Sequence, residues 1–201
     1  MNSPLFITEK KIILASSSPR RIRFMHQLGL DFTSVPATID ETPRTNEAPE
    51  TFVTRLATAK AESIGKHHTQ AFVIGADTIV AIQNKIIGKP DTPDQALQIL
   101  QLLQGTSHRV VTGLCLHCPA KSLTTSLVKT TLVTFGSFPD TVLKAYIDSG
   151  EPMDKAGAYG LQGTGGFLVE KIVGSCSNAI GMPTNDLVAL LLTHEIIRPN
   201  T

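Results

Sequence analysis

The fold of this chain is decided around one stretch, Ala71-Phe72-Val73-Ile74-Gly75-Ala76-Asp77-Thr78-Ile79-Val80. Apolar residues occupy both of its alternating faces, which is typical of a central strand covered on both sides. Asp77 interrupts this run, and an ionised carboxylate in such surroundings is costly unless it is paired, hydrated or bound to a metal. Two interpretations stay open: a functional acid, or an acid at the end of the strand that caps the next turn.

The composition is that of a folded globular protein, with 41% hydrophobic and 17% charged residues. Its 201 residues suit one large domain or two small lobes. The formal net charge of +1 gives no global field that would attract nucleic acid or an anionic membrane, so we expect neither partner. No secretory signal pattern and no apolar run of roughly 18 residues is visible, which predicts a cytoplasmic protein.

The three cysteines, Cys115, Cys118 and Cys176, do not form a disulfide framework, and their small odd number favours a reducing compartment. Cys115 and Cys118 are the two ends of a single CxxC without a second pair. On a strand these two side chains point to opposite faces, so the spacing does not favour a zinc site.

The segment after the first apolar run predicts an anion-binding site. Residues 11–15 form a short strand pattern, and Ser18 and Pro19 are good N-cap and first-turn residues for a helix ending near Gly29. Free N–H groups and the positive helix end then face one place. Arg21 shares the apolar stripe of this helix, while Arg20 points about 100° away toward the rim. The alternative is a pair of solvated arginines.

Three further segments bring charge to the same half of the chain. Residues 49–64 predict a helix with Lys60 on its apolar stripe, where a lysine either extends to the surface or reaches into a cleft. Asp40 and Glu41 are consecutive loop carboxylates, which could hold Mg²⁺ if another acid came near. Lys89 lies on a stiff loop between Gly88 and Pro90.

The remaining elements follow from periodicity and turn residues. We expect a strand over 30–37, a hairpin turn at Asn84, helices over 92–103 and 139–149, paired strands over 107–118 and 122–135, a short strand over 167–173 within a glycine-rich region, and a helix from residue 183.

Several segments together resemble the Maf family of nucleotide pyrophosphatases. They are Leu14-Ala15-Ser16-Ser17-Ser18-Pro19-Arg20-Arg21, Asp40-Glu41-Thr42, Arg55-Leu56-Ala57 with Lys60-Ala61, Ile74-Gly75-Ala76-Asp77-Thr78, Gly88-Lys89-Pro90, Gly105 with His108 and Val111-Thr112-Gly113, Asp154-Lys155-Ala156-Gly157-Ala158-Tyr159-Gly160, and Asn178 to Pro183. The resemblance implies an α/β fold: an elongated mixed β-sheet flanked by helices with a central cleft, similar to the inosine-triphosphate pyrophosphatases. We expect a single domain over residues 1–201, with two lobes around the cleft and residues 1–10 as a loose N-terminal extension.

The resemblance also implies an activity, the hydrolysis of a nucleoside triphosphate to the monophosphate and pyrophosphate with a divalent metal, Mg²⁺ or Mn²⁺. In this family's pattern Asp77 is the general base, and Glu41 and Asp77 hold the metal. The phosphate-contacting set is Ser16, Arg20, Arg21, Lys60 and Lys89. The family further implies a cytoplasmic homodimer.

The substrate expected from the resemblance is dTTP or UTP, because that branch carries the trio found here as Arg20, Thr78 and Gln162. The segment 40–44 is more similar to the branch that cleaves 7-methyl-GTP, and Cys176 stands where tyrosine is usual. Besides a 7-methyl-GTP pyrophosphatase, two alternatives stay open. They are a non-catalytic nucleotide-binding regulator of cell division and a phosphohydrolase that removes the terminal phosphate.

Overall fold

The computed structural model describes residues 3–201. The strands are β1 Phe6–Thr8, β2 Ile12–Leu14, β3 Thr33–Ser34, β4 Phe72–Ile82, β5 Lys85–Ile87, β6 Ser107–Cys118, β7 Leu123–Phe135, β8 Val169–Val173 and β9 Ile197–Pro199. The helices are α1 Pro19–Gln27, α2 Pro49–Gly65, α3 Pro93–Leu103, α4 Asp140–Asp148, α5 Cys176–Ile180 and α6 Thr184–Thr193. Short 3₁₀ segments cover Pro119–Lys121, Glu151–Asp154, Ala156–Ala158 and Thr164–Leu168.

A seven-stranded sheet has the order β3-β2-β4-β6-β7-β8, with β5 paired to β4. Strand β2 runs parallel to β3 and β4, whereas β5 pairs antiparallel with β4 and β8 pairs antiparallel with β7. A mixed sheet accompanied by helices confirms the expected α/β class. The chain divides into two compact units, residues 1–77, 112–128 and 181–201 in the first and residues 78–111 and 129–180 in the second. The expected cleft stays a prediction.

In the first unit, the opening half of β4 is covered on both faces, as its apolar pattern predicts. Phe72 and Ile74 pack in a cluster with α1, α6 and the later half of β6, and Val73 packs with Ala57 and Ala61 of α2. Cys118 belongs to the first of these clusters and Cys115 to the second, so the two thiols lie on opposite faces of β6.

Helix α2 lies unusually close to the sheet because two glycines face it. A side-chain carbon at Gly75 would stand 2.9 Å from the backbone nitrogen of Ala61, and one at Gly113 would stand 2.6 Å from the carbonyl carbon of Val53. Real Cβ contacts of that length are essentially never seen, so the approach depends on glycine at both positions. The close approach brings the packed face of α2, with Lys60, toward β4.

The second unit has its own core, built from the ends of β4, β6 and β7 with α3 and α4. Its buried members include Val80, Leu100, Phe135, Leu143 and Tyr159. The predicted hairpin between β4 and β5 is confirmed, and both Gln83 and Asn84 adopt positive φ in its turn.

The structure also departs from the expected elements. The strand predicted over 30–37 is limited to β3, Thr33–Ser34, because Pro36 has no N–H to donate to a ladder. Residues 6–8, assigned to the loose extension, form β1 and pair antiparallel with β9. The strand expected from residue 167 begins at Val169, after a 3₁₀ segment. Among residues 3–201, no helix is both long enough and apolar enough to cross a bilayer.

Candidate active site

Asp77 and Lys60 form an ion pair in the first unit. The Lys60 Nζ donates to Asp77 Oδ1 at 2.6 Å, and Asp77 and Lys60 are only 7% and 9% exposed. The sequence left two outcomes open for this lysine, the surface or a cleft. In the structure it turns toward the carboxylate of β4, so the acid in the apolar strand has a buried cationic partner.

Glu41 is the second carboxylate on the same ammonium group. Its Oε1 lies 2.8 Å from the Lys60 Nζ, and its side chain is 57% exposed. Lys60 therefore bridges a buried acid on a strand and an exposed acid on a loop. The three side chains form a cluster that we call the acid–lysine cluster: Glu41, Lys60 and Asp77.

The loop that carries Glu41 is held against α2 by Arg55. The Arg55 guanidinium donates to both Glu47 carboxylate oxygens at 2.7 Å and to the Thr42 carbonyl at 3.1 Å. The hydrogen bond from Arg55 lowers the pKa of Glu47 to about 2. A two-point contact of this kind restrains direction as well as distance. Sequence reasoning gave Arg55 no site role, although it lies in a family-like segment and shares α2 with Lys60.

Ser16 organises the turn before α1. Its Oγ accepts the backbone N–H of Ser18 at 3.1 Å and an N–H of Arg21 at 3.4 Å, and the residue is 8% exposed. Ser18 occupies the N-cap position as predicted, but its side chain makes no capping hydrogen bond. The expected helix start is present, with Pro19 in its first turn and no acidic residue there.

Arg21 faces inward and binds the backbone on both sides of the site. Its Nε donates to the Gly181 carbonyl at 3.0 Å, and its Nη1 donates to the Ala76 carbonyl at 2.8 Å. Desolvation lowers the pKa of Arg21, and the negative charge of Asp77, which acts in the opposite direction, only partly offsets it. Because Ala76 immediately precedes Asp77, Arg21 fixes the strand at the acid. Arg20 lies beside it in the first turn and is half-buried.

A cavity of about 90 Å³ opens at these groups, entirely within the first unit. Its lining residues are Ala15, Ser16, Ser17, Pro36, Ala37, Glu41 and Lys60. The structure thus brings together a hydroxyl, an ammonium group and a carboxylate around one hollow beside the start of α1. Such a set favours an anion that arrives with a cation.

The other predicted site residues belong to the second unit. Thr78 follows Asp77 on β4 and is half-buried, Lys89 is exposed between β5 and α3, and Gln162 is exposed in a loop after Gly160. The trio Arg20, Thr78 and Gln162 therefore has members in both units, and its joint role stays a prediction.

The donors for a metal ion are few. Among residues 3–201, no group of three or more His, Cys, Asp or Glu side chains is arranged to hold one. Glu41 and Asp77 nevertheless both reach the same positive atom of Lys60. Mg²⁺ commonly uses one or two carboxylates together with water and substrate phosphates, so this sparse oxygen set fits a metal that the substrate helps to hold.

Comparison with known proteins places the chain among similar sequences over nearly its whole length. A family model described as Maf-like protein matches residues 11–194. A protein of Desulfotalea psychrophila named dTTP/UTP pyrophosphatase is 42% identical over 96% of this chain and 99% of its own length. A Myxococcus xanthus protein of the same name is 45% identical over 90% of each chain. The crystal structure of protein VC0702 from Vibrio cholerae aligns over 71% of this chain and 72% of its own at 9% identity, with a TM-score of 0.33.

Proposed function

This chain belongs to the Maf family, and on that premise we propose that it hydrolyses the α–β phosphoanhydride of dTTP and UTP. One water is consumed, and the products are the nucleoside monophosphate and pyrophosphate. Relatives at 42–45% identity carry the name of this activity. The observation that carries the proposal is the acid–lysine cluster, because a carboxylate paired in a buried position is suited to act on a positioned water.

Asp77 is the proposed general base. Its carboxylate accepts the proton of the water that attacks the α-phosphorus. The hydrogen bond from Lys60 and the anchoring of Ala76 by Arg21 fix where this carboxylate points. A base held in one orientation lowers the entropic cost of aligning water with phosphorus.

The phosphates are bound by the proposed set Ser16, Arg20, Arg21, Lys60 and Lys89. The start of α1 adds the positive end of its helix dipole. These groups stabilise the negative charge that develops on the departing pyrophosphate. Two bonds of Arg21 already go to backbone carbonyls, so positioning of the site is part of its contribution.

Glu41 and Asp77 are the proposed ligands of a divalent cation, Mg²⁺ or Mn²⁺. When bound, the ion neutralises polyphosphate charge and polarises the phosphoryl group. Lys60 contacts both carboxylates, and we propose that the third N–H of its ammonium group donates to a phosphate of the nucleotide. Glu41 is the more exposed of the two acids, so its side chain has room to turn toward a bound ion.

The nucleobase is recognised by the proposed trio Arg20, Thr78 and Gln162. A carboxamide donates and accepts at once, which matches the adjacent N3–H and O4 groups of thymine and uracil. The competing substrate is 7-methyl-GTP, which the segment 40–44 favours by its similarity to the other branch of the family. We further propose a cytoplasmic homodimer. We also propose that it has no nucleic-acid or membrane partner, which the net charge of +1 supports.

A nucleotide panel tests the proposed function. The protein is incubated with dTTP, UTP, CTP and 7-methyl-GTP and Mg²⁺ or Mn²⁺, and orthophosphate and pyrophosphate are measured separately. We expect monophosphate and pyrophosphate from dTTP and UTP, and loss of product in EDTA. Orthophosphate release would indicate cleavage at the terminal phosphate, and tight binding without product would indicate a non-catalytic regulator. Light scattering of the purified protein tests the dimer.

A further inference from the structure

The loop that carries Gln162 is anchored on its C-terminal side by Glu151. The Thr164 N–H donates to Glu151 Oε2 at 2.8 Å, and the Gly165 N–H donates to Oε1 at 3.1 Å. Glu151 opens the 3₁₀ segment that follows α4. One carboxylate therefore binds two backbone groups shortly after Gln162.

Tyr146 of α4 extends this anchor to the N-terminal side of the loop. Its hydroxyl donates to Glu151 Oε1 at 3.0 Å and accepts the Gly160 N–H at 3.2 Å. Tyr146 is 3% exposed, whereas Gln162 is exposed. A buried tyrosine and a single acid thus hold the backbone on both sides of an exposed amide side chain.

The glycines of the loop allow this direct contact. A side-chain carbon at Gly160 would stand 2.9 Å from Glu151 Oε1, one at Gly163 would overlap the Glu151 carboxylate, and one at Gly165 would overlap the Tyr146 hydroxyl. No larger residue fits at these positions without moving the anchor. The loop backbone therefore packs on Glu151 and Tyr146 without intervening side chains.

Glu151 holds the loop as an anion. Burial on its own would raise the pKa of Glu151, but hydrogen bonds from Gly165, Thr164 and Tyr146 and the charge of Lys155 outweigh it, and the pKa is lowered. Bonds from N–H groups to an ionised carboxylate are stronger than those between neutral partners.

We infer that Glu151, together with Tyr146, is a positioning residue that holds the backbone of Gln162 in the place from which its side chain distinguishes thymine and uracil from cytosine. The inference rests on the proposed function, in which Gln162 recognises the base. Cytosine has an acceptor at N3 and a donor at its exocyclic group, the reverse of thymine. A carboxamide rotated by 180° therefore pairs with cytosine instead. Fixing the loop backbone sets the position and direction from which the Gln162 side chain meets the base edge, so loss of the anchor should relax selectivity more than it slows turnover.

The test compares Glu151→Gln with the wild type and with Glu170→Gln, the same change at an exposed glutamate of β8. The kcat/KM for dTTP and dCTP is measured for each protein, together with amide hydrogen exchange of residues 160–166. For Glu151→Gln we expect exchange at Thr164 and Gly165 to rise about tenfold or more. We also expect the dTTP-to-dCTP ratio of kcat/KM to fall about tenfold, mainly through KM for dTTP. Glu170→Gln should match the wild type in both measurements.

A double variant separates positioning from a general loss of structure. If Glu151 acts through Gln162, adding Glu151→Gln to Gln162→Ala should change the selectivity ratio no further. An unchanged ratio in Glu151→Gln, or additive effects in the double variant, would overturn the inference. Tyr146→Phe keeps the buried ring and removes only the bridging hydroxyl, so it replaces Glu151→Gln if that variant does not fold. If the wild type released no pyrophosphate, the proposed function would fail and the exchange rates alone would decide the anchoring role.

Discussion

The Nζ atom of Lys60 lies 2.6 Å from Oδ1 of Asp77, and both residues are almost fully shielded from solvent. The same ammonium group lies 2.8 Å from the exposed Glu41 carboxylate. The buried Asp77 carboxylate therefore depends on Lys60 for its charge partner, whereas the exposed Glu41 carboxylate can also be solvated by water. This asymmetry sets the expected behaviour of the site under mutation.

Asp77→Asn should remove the proposed base while keeping the shape of the side chain. We expect pyrophosphate release to fall by about 10² to 10⁴-fold, with nucleotide affinity within a few-fold of the wild type. Turnover is measured by pyrophosphate release and affinity by calorimetry. Asp94→Asn, at an exposed position of α3, serves as the control. Normal turnover in Asp77→Asn would assign the base elsewhere.

Lys60→Met should destabilise the protein because it leaves the Asp77 carboxylate buried without its cation. We expect a loss of about 3 kcal/mol in the free energy of unfolding, measured with urea. Adding Asp77→Asn should recover part of that loss, since the stranded charge is then absent. A double variant less stable than Lys60→Met would show that the lysine stabilises the fold mainly by another contact.

Arg21→Lys should reduce turnover through the backbone of Ala76. A lysine cannot reproduce the fork that bonds the Ala76 and Gly181 carbonyls together, so Asp77 loses its fixed position. We expect kcat about ten- to a hundredfold lower with little change in KM, from steady-state kinetics. Arg23→Lys, an exposed change on the same helix, should behave as the wild type. A raised KM at constant kcat would instead indicate a purely phosphate-binding arginine.

His108 should make the second unit sensitive to acid. It is 1% exposed, its Nε2 is hydrogen-bonded to the Tyr159 hydroxyl at 2.9 Å, and burial lowers its pKa from 6.5 to about 4. Between these two pH values the unfolded state binds a proton that the folded state does not. The contribution of neutral His108 to the free energy of unfolding is therefore complete above pH 6.5 and is lost as the pH falls toward 4.

The lost contribution of His108 amounts to about 3 kcal/mol for a shift of this size. Urea unfolding at pH 7, 5.5 and 4.5 measures it. His108→Phe keeps an aromatic ring beside Phe135 and should flatten the profile over this range. His67→Gln, at an exposed histidine, should not change it. An equally steep profile in His108→Phe would assign the acid sensitivity to other groups.

The sequence alone determined the central strand and most of the elements around it. Ala71–Val80 predicts a strand because apolar residues on both alternating positions exclude a surface location, and β4 covers nearly the same residues. The helix starting at Pro49 follows as directly from its 3.6-residue stripe. The limits of the strand over 30–37 were less determined. Pro36 has no N–H for a neighbouring strand, and periodicity does not show which strand is the neighbour.

Only the tertiary structure decided what the charged residues do. Periodicity placed Lys60 on the packed face of α2 and left two outcomes open. It reaches Asp77 because glycines on two strands admit α2 close to the sheet. Sequence pattern did not show that Arg55 and Glu151 hold loops. In those loops they bind backbone groups of Thr42 and Thr164, which any residue at these positions would offer. Local pattern fixes which face a residue takes, whereas the distance between two charges depends on how closely distant segments pack.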